Sequence, residues 1–124
     1  MYETTDFKAD TVREEIMSMR VAGLVADLLM RTCNASSVER QSFMDGSRYM
    51  IRFSDNNNME VHLVDRGERL FAEFWISTYA TPIMIIEYIN AGIKPSSICE
   101  EICALIRIIS ESLIKHGEKS TKAQ

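Results

Sequence analysis

The sequence predicts an α+β domain: a long N-terminal helix, a four-stranded antiparallel meander, and two C-terminal helices packed on one sheet face. Three observations carry this. Between Glu39 and Tyr79 apolar and polar residues alternate, broken by Asp45-Gly46, Asp55 to Asn58 and Asp65-Arg66-Gly67. Before that stretch, apolar residues recur at spacings of three and four, as on one face of a helix. After it, the same spacing returns behind a Thr-Pro and a Pro-Ser-Ser start. No linker, internal repeat or low-complexity block divides the chain, so residues 1–124 read as one domain.

Composition fits that reading. Of 124 residues, 46% are hydrophobic and 26% charged, the balance of a globular chain rather than a disordered one. A chain of this length buries roughly two thirds of its unfolded surface, enough for one core. The formal net charge of −4 and a pI near 5.2 argue against nucleic acid as a partner, which calls for a basic stripe. The longest apolar run, Val21 to Met30, is interrupted by Asp27 and is too short to span a bilayer. The first residues lack a positive stretch followed by an apolar one, so the expected compartment is the cytoplasm.

In chain order, residues 1–10 are a polar arm. Thr11 to Glu14 fits a capping box, and Val12, Ile16, Met19, Gly23, Ala26 and Met30 form the stripe of the first helix. From Val21 that helix is apolar nearly all round, which requires cover on more than one side. Small Gly23 and Ala26 would admit a second helix closely, and Asn34 suits a left-handed stop. Ser37 to Met44 reads as a weak edge strand. Asp45-Gly46 reads as a hairpin turn with positive φ at both positions. In the next three strands Tyr49, Ile51 and Phe53, then Met59, Val61 and Leu63, then Leu70, Ala72, Phe74 and Ile76 each share one face, and aromatics on both faces of the last strand mark it as central or covered on part of its second face. Thr81-Pro82 reads as the start of a short helix over residues 83–90, closed at Ala91-Gly92. Ser97 to Glu100 fits a second capping box, with Ile98, Ile102, Leu105, Ile109 and Leu113 as the stripe of the last helix. His116-Gly117 closes it, leaving residues 118–124 as a solvated tail.

Chemistry-bearing residues are sparse. His62 and His116 are the two histidines, and neither has a Ser or Cys that the sequence places beside it. Cys99 and Cys103 share a helix face as two metal ligands would, but the isoleucines around them point to packing, so no metal and no cofactor is expected. All three cysteines read as reduced and buried. The scattered glycines form no phosphate-binding loop. Arginines and aromatics near the sheet could stack on RNA, yet Glu60, Glu68 and Glu73 interleave with them as in a solvated face of ion pairs.

The remaining signal is surplus apolar helix surface and adaptable methionine, eight residues in all. The function expected is a non-enzymatic protein-binding module, an inhibitor, adaptor or chaperone acting through an apolar helix surface or a sheet edge. The simplest assembly is a homodimer. Arg48, Arg52, His62 and Glu73 are the candidate partner-binding residues on an exposed sheet face. Ile16, Met19, Leu24 and Leu28 are the candidate dimer interface. The alternative is a small-ligand sensor with a pocket between sheet and helices, lined by Phe53, Phe74, Trp75 and Met84. A third class, an enzyme using His62 with Glu73, requires those two side chains to meet. In size, acidity and helix–sheet–helix layout the chain resembles small secretion chaperones and small inhibitor proteins of mobile elements, a likeness carried by layout and by no motif.

Overall fold

The computed structural model describes residues 21–89 and 92–123, the side chains of 116–123 excepted. Its elements are a helix α1 over 21–32, strands β1 (Ser37–Phe43), β2 (Gly46–Phe53), β3 (Met59–Asp65), β4 (Arg69–Trp75) and β5 (Met84–Ile89), and a helix α2 (Pro95–Ala123). The five strands form one antiparallel sheet in the order β1-β2-β3-β4-β5. Each strand pairs with its sequence neighbour, as short turns dictate.

Period-two alternation decides the two faces. Tyr49, Ile51 and Phe53 lie opposite Leu63, Val61 and Met59 in the β2–β3 register. Leu63 and Val61 in turn lie opposite Ala72 and Phe74, and Leu70 opposite Tyr88. These side chains meet Ala22, Val25, Ala26 and Leu29 of α1 and Ile98, Cys99, Ile102 and Ile106 of α2 in one core. Both helices therefore cover the same face. Polar ties hold α2 there: Asn57 Nδ2 donates to Ser110 Oγ at 2.8 Å, and Tyr88 Oη donates to Glu101 Oε1 at 2.8 Å.

The expected four strands are five, and the expected two C-terminal helices are one. Residues 84–89 form β5 rather than a helix. Four isoleucines in residues 83–89 favour an extended backbone, and β4 offers an open ladder edge that continues at once, with Ile83 N–H donating to Phe74 O at 2.8 Å. Within β5, Met84, Ile86 and Tyr88 turn inward and Ile85, Glu87 and Ile89 outward. A helix-start reading of Thr81-Pro82 misses this because Pro also suits the first residue before a strand.

Three further boundaries are corrected. The β1–β2 turn is Met44-Asp45, with Phe43 already opposite Gly46 and neither Asp45 nor Gly46 at positive φ. Gly46 is needed for space instead: a Cβ there would sit 1.9 Å from Asp65 O. The second helix starts at Pro95, where a missing N–H costs nothing, so Ser97 lies inside the first turn and is not its cap. That helix runs past His116-Gly117 to Ala123, so 118–123 is helical backbone rather than a tail. The left-handed residues Asn34, Asn57 and Asn58 stand where short polar side chains tolerate that conformation. The expected frayed arm, the Thr11 capping box, Ile16 and Met19 lie outside the described residues.

Candidate functional site

The described parts of both helices lie on one face of the sheet, and on the second face Val64 is buried while Arg48, Met50, His62, Phe71, Glu73 and Trp75 are half-buried. Arg48, Val64, Phe71 and Glu87 form one cross-strand row on it, and Met50, His62, Glu73 and Ile85 the next. Trp75 and Glu60 lie opposite each other in the third row, beside Arg52.

The centre of this face is a closed polar network. Arg48 Nη1 donates to Glu73 Oε1 at 2.7 Å and to His62 Nδ1 at 2.9 Å. Trp75 Nε1 donates to the same Glu73 oxygen at 3.1 Å, and its ring stacks on His62 with centroids 5.1 Å apart. Glu73 thus accepts from a guanidinium and an indole, while the arginine and the tryptophan flank the imidazole. Three of the four candidate partner-binding residues, Arg48, His62 and Glu73, meet here. Arg52 stands on the same face but is exposed, and its carbonyl is what engages, accepting from Ser36 N at 2.8 Å. Trp75 was the missing fourth member; its position on the outward phase of β4, beside Glu73, is the sequence signal that finds it.

Burial, with the Arg48 guanidinium beside it, holds the His62 imidazole below its ordinary value of 6.5, against the opposing pull of Glu60 and Glu73. Because Nδ1 accepts from arginine, the proton of the neutral ring sits on Nε2, which is 3.8 Å from Glu60 Oε1. Neither nitrogen is then a free base. His62 and Glu73 do meet, with Nδ1 3.9 Å from Oε1, but in an arrangement that orients aromatic and charged groups rather than one that abstracts a proton.

A pH response follows. The folded value lies below the unfolded one, so this contribution to stability is fully present above pH 6.5 and is lost as pH falls through the folded value. Trp75, the only tryptophan, reports it directly. The expected result is a fluorescence change on acidification with its midpoint below 6.5 and a matching fall in urea stability. A midpoint at or above 6.5 contradicts the geometry.

Apolar side chains ring the network on the side of β5. Ile83, Ile85 and Ile89 are 42%, 54% and 62% exposed, the last two on the open face. Of the dimer-interface candidates, Leu24 is exposed, whereas Leu28 is packed against the core. Gly23 faces the sheet rather than another helix, with Tyr49 Oη 3.3 Å from where its Cβ would be. The four residues expected to line a ligand pocket are divided: Phe53 and Phe74 are fully buried in the core, Met84 is partly buried against it, and Trp75 is on the opposite face.

The cysteines also depart from expectation. The end of α1 lies against α2, so Cys33 and Cys103, with Cα atoms 6.0 Å apart, form a disulfide and only Cys99 is a free thiol. Comparison with known proteins finds no family that matches this chain, and no curated protein or solved structure that does.

Proposed function

We propose that this chain is a small non-enzymatic protein-binding module of the inhibitor, adaptor or chaperone type. It binds by adding a strand of another protein to the β5 edge, with the adjoining open face as the specificity surface. A second copy of the chain, paired through β5 in a homodimer, is the simplest such assembly.

The observation that carries this reading is the contrast between the two sheet edges. Edge strands are normally guarded by charge, proline or brevity. β1 has that protection: Glu39 and Arg40 stand on it, and the Arg40 guanidinium lies over the Tyr49 ring at 5.7 Å. Among the described residues β5 has less: its one charged residue, Glu87, is paired with Arg69 at 2.9 Å, and isoleucines occupy the neighbouring outward positions. Main-chain groups along such an edge supply affinity, and Ile85 and Ile89 supply apolar anchors at alternate positions. The Arg48–Glu73–His62–Trp75 network holds the face rigid behind them.

The test is solution mass by light scattering across a concentration series for the parent chain and for Ile85→Lys. Ile85 is more than half exposed, so lysine is accommodated in the monomer. The expected result is a concentration-dependent dimer whose dissociation constant rises at least tenfold in the variant, a change of about 1.4 kcal/mol. A parent chain that stays monomeric throughout, or a dimer indifferent to the lysine, overturns pairing through β5.

A further inference from the structure

The face of the molecule away from the open sheet carries a second arrangement, unrelated to the β5 edge. Cys33 at the end of α1 and Cys99 and Cys103 on α2 bring three sulfur atoms within 4.8 Å of one another. Two of them are four residues apart on one helix and so share a face. The third arrives from 70 residues away, because α1 and α2 lie side by side on the sheet. The cluster lines a cleft of about 610 Å³ whose wall also includes Thr32, Asn34, Glu100 and Arg107.

We propose that the reduced chain binds one thiophilic metal ion of the zinc class through Cys33, Cys99 and Cys103. Metal–sulfur bonds of about 2.3 Å at tetrahedral angles set sulfurs roughly 3.8 Å apart. Cys99 Sγ and Cys103 Sγ are already 3.9 Å apart. The third ligand needs only the Cys33–Cys103 bond to open. Thr32 Oγ1 stands 3.5 Å from Cys99 Sγ and 3.6 Å from Cys33 Sγ, and because its own proton goes to Leu28 O at 2.7 Å it accepts from these sulfurs while they are thiols. Three thiolates and a divalent ion leave one negative charge, in a cleft whose wall carries both Arg107 and Glu100. With three protein ligands, the fourth position faces the cleft and is open to water or an incoming ligand.

The disulfide and the metal exclude each other, so the site is redox-gated. A small-molecule or protein dithiol supplies two electrons and two protons, converting the Cys33–Cys103 bond to two thiols while its own sulfurs close to a disulfide. Binding then releases the three thiol protons to solvent.

The experiment titrates zinc(II) into the whole chain, reduced and freed of reductant under anaerobic conditions, against a chromophoric chelator, with thiol counting in parallel. One ion per chain is expected, with three thiols lost to the thiol reagent. Cys99→Ser is expected to weaken binding at least tenfold, and the oxidised chain at least a hundredfold. Less than one equivalent bound by the reduced parent chain overturns the proposal, a result that needs no variant to fold. Unchanged affinity in Cys99→Ser overturns it as well, since two thiols would then suffice.

Discussion

Gly46→Ala is expected to destabilise the protein by about 3 kcal/mol and lower its Tm by on the order of 10 °C. The new Cβ would lie 1.9 Å from Asp65 O and 3.0 Å from its carbonyl carbon. Both are backbone atoms in the last rung of the β2–β3 ladder, where Ser47 pairs with Asp65. No side-chain rotation relieves that contact, so the strands must part at their end. The parting exposes Asp65, whose carboxyl is buried and pushed upward by that burial despite accepting the Gly67 N–H at 2.9 Å. Gly23→Ala is the matched control. Among the described residues its Cβ would meet Tyr49 alone, Oη at 3.3 Å and Cζ at 3.8 Å, the movable end of a side chain, and alanine is the better helix former. The expected change there is within about 1 kcal/mol of zero. Thermal unfolding of the two variants checks the pair, and equal effects would contradict the account of Gly46.

Arg48→Met is expected to cost about 2 kcal/mol and to move the acid transition of Trp75 upward. The guanidinium is held by Glu73 and His62 at once, and its loss leaves a carboxylate, 16% exposed, with the Trp75 N–H as its remaining close donor. Partial exposure keeps the cost below that of a fully buried pair. The same loss removes a positive charge that disfavours protonated His62, so imidazolium forms at higher pH beside Glu60 and Glu73. Glu73→Gln in the Arg48→Met background is expected to recover part of the stability, because a neutral amide is cheaper to strand than a carboxylate. Additive losses would mean that Arg48 and Glu73 act independently. Urea unfolding of the single and double variants decides between these outcomes.

The legibility of the fold in the sequence followed the strength of each periodic signal. Tyr49, Ile51 and Phe53 alternate without a break, and so do Met59, Val61 and Leu63; their strands and inward faces are those expected. Residues 83–89 are apolar on both phases, and such a run carries neither a period of two nor of 3.6. Only the vacant edge of β4 decides that they extend. Gly46 shows a subtler limit: the residue suits a turn, but its necessity comes from Asp65 O, nineteen positions away and invisible locally.

The candidate site was legible in part for the same reason. Alternation places Arg48, His62 and Glu73 on one face, and the register then brings them into contact. Trp75 shares that outward phase two residues after Glu73, so the pattern places it nearby, while the hydrogen bond from its indole N–H to Glu73 is set by its rotamer. Cys33 is the opposite case. Spacing links Cys99 to Cys103, while nothing in the sequence measures the distance from the end of α1 to α2.

The most direct test of the central claim, that β5 is the edge through which this protein binds, is amide hydrogen exchange at low and high protein concentration. Slower exchange at high concentration along Met84–Ile89, with the β1 amides of Ser37–Phe43 unchanged, is the expected result. Protection gained along β1 or on the helices while β5 exchanges as before would contradict it.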